Sequence, residues 1–256
     1  MLKVNRKEKI LEILSSKKDI RINDLCRILD VSIATIHRDL DELDREGRIK
    51  KVFGGVILNN SDDFEIINKV RLNTNVDLKK RVSSKALELV ENDDCLFIDN
   101  STTCYYFAKA LSESEFKNLV IVTNSYLIPG LFIKNENIQV VCTGGLLIKD
   151  MNSFAGPCAI TAINEFNGNK FFFSVAAISL NGDLSDIYDI DLVTVKREMF
   201  KRSKEKVCLV DSSKFNKVGQ SKIFNISQID KIITDSNCDK DKREEISMSG
   251  VKLIIG

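Results

Sequence analysis

Val31-Ser32-Ile33-Ala34-Thr35-Ile36-His37-Arg38-Asp39-Leu40-Asp41-Glu42-Leu43 reads as a helix with two unlike faces and its own start signal. Ser32 offers a side-chain oxygen to an orphan amide of the first turn, and Gly47 ends the helix just after Glu46. Ile33, Ile36, Leu40 and Leu43 fall on one side at helical spacing, while Thr35, His37, Arg38 and Asp41 occupy the other. Upstream, Asp30-Val31 turns the chain, and a shorter helix is expected over 24–29 with Asn23 as its cap and Leu25, Ile28 and Leu29 as its buried face. A first helix is expected over 6–16, where Ile10, Leu11, Ile13 and Leu14 repeat behind Asn5.

Two helices joined by a tight turn, the second capped by Ser and polar outward, have the shape that enters a DNA major groove. On that reading the helix-turn-helix covers about 22–41, with Arg38 suited to a guanine edge and Thr35 to a thymine methyl or a phosphate. Ser32 positions them, and His37 contributes to base preference. Downstream, Arg48-Ile49-Lys50-Lys51-Val52-Phe53-Gly54-Gly55-Val56-Ile57-Leu58 places two β-prone runs around a glycine pair. A hairpin wing over 48–58 would press Arg48, Lys50 and Lys51 on the sugar-phosphate backbone. A small helical bundle with a merely solvated charged face fits the same periodicity, and the residues alone leave both open.

The 256 residues suit two domains of unequal size. Residues 1–55 carry 13 Lys/Arg against 10 Asp/Glu and the remainder 25 against 27, a mildly basic part joined to a slightly acidic one. The seven cysteines are scattered and never in CxxC spacing, which suits reduced thiols in a cytoplasm better than a disulfide framework or a zinc site. Nothing resembles a signal peptide or a membrane span, and no P-loop, dinucleotide fingerprint or metal-ligand spacing appears, so neither a membrane partner nor a cofactor is expected.

The polar run 59–63 marks the domain boundary, giving a DNA-binding part over 1–58, a linker over 59–78 and a larger domain over 79–256. There, short apolar runs at 95–98, 120–122, 140–142, 171–178, 207–210 and 231–233 alternate with helical segments at 79–91, 103–111, 127–133, 158–166 and 191–202. That alternation predicts an α/β domain with a mostly parallel sheet covered on both faces. Ligands collect at the carboxyl ends of such strands. Those ends carry Asp99, Ser101, Thr102 and Thr103, then Asn124 and Ser125, then Gly144 and Gly145, and finally Lys214. Hydroxyls and amides at a helix start can hold a phosphate, Lys214 adds a positive charge, and Asp99 and Asn124 suit sugar hydroxyls. The same residue types also gather after strands simply because they cap helices and make turns.

Residues 31–43, with Glu46-Gly47 and Phe53-Gly54-Gly55, resemble the DeoR family of bacterial regulators, whose pattern is V-S-x-x-T-I-R-R-D-L followed by L-x-x-x-G and a G-G wing. His37 stands where Arg is commoner. The resemblance continues through Phe97-Ile98-Asp99-Asn100-Ser101-Thr102-Thr103, Val122-Thr123-Asn124-Ser125, Gly144-Gly145, Lys196-Arg197-Glu198-Met199 and Val210-Asp211-Ser212-Ser213-Lys214-Phe215. It implies a C-terminal sensor domain related in fold to ribose-phosphate isomerase, a phosphorylated sugar as effector, a double-stranded DNA operator and repression of a carbohydrate-metabolism operon. A homo-oligomer held by the sensor domain would present paired recognition helices to half-sites. Ser101 replaces a usual Gly, and Ser174 and Ala177 replace glycines in the strand expected at 171–178.

An isomerase is the competing reading, but the D-G-A-D run of that enzyme has no counterpart, since Ser174-Val175-Ala176-Ala177 stands there. The only His lies in the DNA-binding helix, which leaves no base for Ser-His or Cys-His chemistry. The protein is therefore expected not to be an enzyme. A third reading keeps the DNA-binding part and gives the C-terminal domain oligomerisation alone.

Overall fold

The computed structural model describes residues 3–17, 19–52, 55–58, 71–186 and 189–256. The chain divides into two compact units, Met1–Thr74 with Lys149–Met151, and Asn75–Ile148 with Asn152–Gly256. Much of the connector expected at 59–78 lies outside the described residues, as do Phe53 and Gly54 of the wing.

In the first unit, helix α1 (Lys3–Lys17) precedes a short strand β1 (Asp19–Arg21), helix α2 (Ile22–Leu29), helix α3 (Ile33–Arg45) and the hairpin β2 (Ile49–Val52) and β3 (Gly55–Leu58). The order β1-β3-β2 is antiparallel throughout, so the wing is three-stranded. The strand β1 was not expected, because three residues show no periodicity. Its pairing of Arg21 with Gly55 explains why α2 starts at Ile22, behind Arg21 and with no side-chain cap, rather than behind Asn23. Ile10, Leu11, Leu14, Leu25, Leu29, Ile36, Leu40, Leu43, Ile49 and Val56 form the core between the helices and the sheet. Ile33 does not join them. It is 53% exposed in the first turn of α3.

The second unit opens with α4 (Val76–Leu87), β4 (Cys95–Ile98), α5 (Thr102–Ser112), β5 (Leu119–Thr123) and β6 (Ile138–Cys142). A hairpin of β7 (Leu146–Ile148) and β8 (Ser153–Ala155) leads into α6 (Pro157–Asn164) and β9 (Gly168–Phe173). The rest runs β10 (Ala177–Ile178), β11 (Asp183–Asp186), α7 (Ile190–Lys201), β12 (Ser203–Leu209), β13 (Ser221–Asn225), β14 (Lys231–Thr234), α8 (Lys240–Met248) and β15 (Lys252–Ile255). Seven strands form one parallel sheet in the order β15-β14-β12-β9-β4-β5-β6. The strand pleat divides its core into two layers. On β9, Phe172 meets Phe107 of α5 at 4.3 Å between ring centres, on the layer that includes Val82, Ala86 and Leu111. Phe171 and Phe173 face the other way, and Phe173 packs on Phe200 of α7 and Phe224 of β13.

Two expectations are corrected. The single strand expected over 171–178 is two, because β9 ends at Phe173 and Ala177–Ile178 pairs antiparallel with β11 in a separate sheet of order β10-β11-β13. The break has a cause: the amide of Ser174 donates to the carboxylate of Asp99 at 3.0 Å instead of to a strand partner. The helix expected over 127–133 is only a 3-10 turn, Pro129–Phe132.

Candidate functional site: a recognition helix and a row of strand ends

Helix α3 is seated by its own sequence. The hydroxyl of Ser32 accepts from the amide of Thr35 at 3.3 Å, and the two hydroxyls lie 2.9 Å apart. Removing it by Ser32→Ala should cost the first unit about 1 kcal/mol. Thermal unfolding of the full chain reads this, and an unchanged first transition would show that the cap does not set the helix start. Beneath the helix, Asp39 is 1% exposed and takes both nitrogens of the Arg6 fork, at 2.5 and 3.1 Å. Lys7 reaches Glu42 at 3.0 Å and Glu46 at 2.6 Å. The α1–α3 angle is thus fixed by a bidentate ion pair as well as by packing. Asp39 was not singled out from the sequence, though an acid between Ile36 and Leu40 on an apolar stripe is the signal of such a pair.

His37 and Arg38 are exposed, and among the described residues their side chains have no hydrogen-bond or ion-pair partner. The cations of the wing are held differently. Lys51 pairs with Asp41 of α3, and Arg48 lies 3.8 Å from Glu46. Lys50 belongs to β2, and its side chain is outside those described. Among the described residues, Arg38 of α3 is thus an exposed guanidinium without a carboxylate, whereas Arg48 and Lys51 rest on carboxylates.

In the second unit the polar residues fall at the carboxyl ends of adjacent parallel strands. Reading across the sheet from β14 to β6, they are Asp235, Asp211, Ser174, Asp99, Asn124 and Thr143. The chain passes from β4 to β5 and β6 on one side, then returns to β9 on the other, so the crevice between β4 and β9 is the switch point of the sheet. Asp99 closes that crevice. One of its oxygens accepts from the amide of Ser101 at 2.9 Å, the other from the amide of Ser174 and from Lys196 of α7 at 3.1 Å. Lys196 also donates to Asp186 at 2.7 Å and to the carbonyl of Ser174 at 2.8 Å. Burial alone would pull this ammonium's pKa down, yet the carboxylates of Asp186 and Asp99 reverse the effect and the net shift is upward.

The other expected site residues have distinct surroundings. Ser101 caps α5, accepting from the amide of Cys104 at 3.1 Å, with an ordinary φ of −68°. The serine in place of glycine therefore costs no backbone strain, and its hydroxyl serves the helix. Thr102 is partly exposed, whereas Thr103 is 2% exposed and faces the interior. Asn124 is buried, its amide donating to Ser153 at 2.7 Å and to the carbonyl of Phe154 at 3.3 Å, and Ser125 is buried beside it. Gly144 (φ +61°) has open space around it, but a Cβ on Gly145 (φ +112°) would lie 2.5 Å from the carbonyl oxygen of Ala155. Lys214 closes a short 3-10 turn capped by Asp211 and is partly exposed. Lys214 and Ser101 follow strands two spacings apart, about 10 Å, a span on the scale of one sugar phosphate. Lys196 was read in the sequence only as part of a motif, and its place beneath the switch point is what the sequence did not reveal.

A model of the DeoR-like helix-turn-helix domain matches residues 6–62, and one of the DeoR C-terminal sensor domain matches residues 74–236. The chain belongs to the DeoR family of transcription regulators. Among its relatives is the uncharacterized regulator YulB of Bacillus subtilis, 32% identical over 253 residues, which are 99% of this chain and 96% of that protein. A putative aga operon transcriptional repressor of Escherichia coli O157:H7 is 27% identical, over 98% of this chain and 93% of its own length. The L-fucose operon activator of Escherichia coli K12 is 29% identical, over 91% and 96%. Ribose 5-phosphate isomerase A of Neisseria gonorrhoeae aligns structurally with a TM-score of 0.41 and 20% identity, over 56% of this chain and 54% of that one. This DeoR-family chain is a DNA-binding regulator and not an isomerase. No helix among its described residues is long and apolar enough to cross a membrane.

Proposed function

We propose that this DeoR-family protein is a cytoplasmic, homo-oligomeric repressor of a carbohydrate-metabolism operon, released from its operator by a phosphorylated sugar. The observation that carries the reading is the row of polar strand ends on both sides of the β4–β9 crevice, with a capped helix start at Ser101 and a cation at Lys214. Residues 1–58 read the operator. Arg38 contacts a base edge, Ser32 and Thr35 place it, His37 adds preference, and Arg48, Lys50 and Lys51 hold the backbone. The segment after residue 58 links this reader to a sensor that begins at Asn75. The effector's phosphate lies on Ser101, Thr102, Thr103 and Lys214, with Asn124, Ser125, Gly144 and Gly145 along its sugar. Three internal donors already engage Asp99, so its part is to shape the floor and take at most one hydroxyl.

The test is binding of the purified protein to its own promoter DNA across salt, with and without a panel of sugar phosphates. Selective binding weakened by one phosphorylated compound is the expected result. Selective binding indifferent to all of them would leave the second unit an oligomerisation domain, and a rise in transcription in vitro on adding the protein would make it an activator. Within the same assay, Lys51→Ala should weaken binding to every sequence and lower the slope of log K against log salt by about 0.9. An altered base preference with an unchanged slope would remove Lys51 from the backbone contacts.

A further inference from the structure

Asn75 is the first residue of the second unit and stands immediately before α4. Its backbone is left-handed (φ 54°, ψ 37°), a conformation that Asn tolerates better than most residues. Its side chain makes no cap for α4. Instead the amide nitrogen points across to the loop after β12, 3.5 Å from Oδ1 of Asp211 and 3.4 Å from Oγ of Ser213. The same Asp211 oxygen accepts from the amide of Ser213 at 3.0 Å and from its hydroxyl. One carboxylate oxygen thus gathers the turn that carries Lys214 and the entry of the chain into the sensor. Asp211 is 1% exposed and cannot turn to water to make up a lost donor.

We propose that Asn75 is a positioning residue that couples the Lys214 loop to the chain segment leading to the DNA-binding unit. The inference rests on the reading above, that an anionic effector occupies this loop. An anion that draws Lys214 toward itself shifts the short turn to which the Ser213 hydroxyl and the Asp211 carboxylate both belong. The amide of Asn75 is then either pulled tighter or released. Bonds of 3.4–3.5 Å are long enough to move either way at small cost. A ligand shifts an equilibrium only by contacts that differ between its two arrangements, and this is such a contact at the chain's entry point.

The experiment compares wild type with Asn75→Gly, which keeps the left-handed backbone and removes the amide, and with Asn75→Ala, which removes both. DNA affinity is measured with and without ribose 5-phosphate, glucose 6-phosphate, fructose 1-phosphate and inorganic phosphate, and direct binding of each by calorimetry. For the probe that acts, wild-type DNA binding should weaken roughly tenfold, and that of Asn75→Gly by about twofold or less. DNA affinity without the probe and direct affinity for it should stay near wild type while the melting temperature falls by a few degrees for the donor lost to Asp211, whereas a merely structural role would also weaken DNA binding without the probe. Equal responses in wild type and Asn75→Gly overturn the role of Asn75 alone. Uncoupling by Asn75→Ala but not by Asn75→Gly assigns the effect to backbone conformation and overturns it as well. A wild type that responds to none of the probes overturns the effector reading, and this inference with it.

Discussion

Lys196→Met should destabilise the second unit by about 3–5 kcal/mol, the cost of leaving buried carboxylates without their cation. Lys196 is 7% exposed and holds Asp99, Asp186 and the carbonyl of Ser174 at once. Methionine fills much the same volume, so the loss is electrostatic and not a cavity. Urea unfolding followed by circular dichroism measures it, and a loss below about 1 kcal/mol would show that water reaches both carboxylates. The pH dependence follows from the direction of the shift. Below the ordinary lysine value of 10.5 the group is charged in both folded and unfolded chains, and the pairing contributes in full. Above it the unfolded chain gives up the proton while the folded one retains it, so stability falls as pH rises toward the higher folded value. Wild type should therefore lose more stability than Lys196→Met as pH rises above 10.5. Parallel losses would mean that the shift is not upward.

Arg38→Ala should cost about 1–3 kcal/mol at the operator, a fall in affinity of roughly five- to 150-fold, and should relax preference at one base position. The reasoning is structural. A guanidinium engaged by a carboxylate must break that pair to reach a base, but Arg38 is exposed, and the described residues give it no such partner. Its helix is held rigidly below by Asp39 on Arg6 and by Ile36, Leu40 and Leu43 in the core. Binding of the variant to the operator and to a scrambled duplex, at several salt concentrations, separates base readout from charge. An equal loss on both duplexes would make Arg38 a phosphate contact, and no loss would remove α3 as the reading helix.

The parts of this fold that were legible in the sequence are those in which one local pattern has one physical solution. Ser32 caps α3 and Gly47 (φ +71°) follows it, as their chemistry requires. The continuous apolar run of β4 forms a strand buried on both faces, with the expected bounds. What was not legible depends on partners distant in the chain. The strand β1 exists because β3 pairs with it, and β11 and β13 are too polar to announce a strand until they pair with each other. The expected strand over 171–178 breaks because Asp99, 75 residues away, takes the amide of Ser174. For the site, the strand-end residues were legible because parallel sheets place them together. The different tasks of Ser101, Thr103 and Gly145 were not, since a helix cap, a core residue and a glycine pressed on a carbonyl all look like a polar loop in sequence.

Gly144 and Gly145 answer to different constraints. Nothing surrounds Gly144, whereas Gly145 is fixed by the backbone of Ala155 and Ala159 behind it. A lineage of this fold that gave up sensing would thus be free to change the first glycine for residues that adopt positive φ, while the second would survive as a relic of packing. Retention of the second glycine in a divergent descendant is then a record of how its hairpin folds against α6.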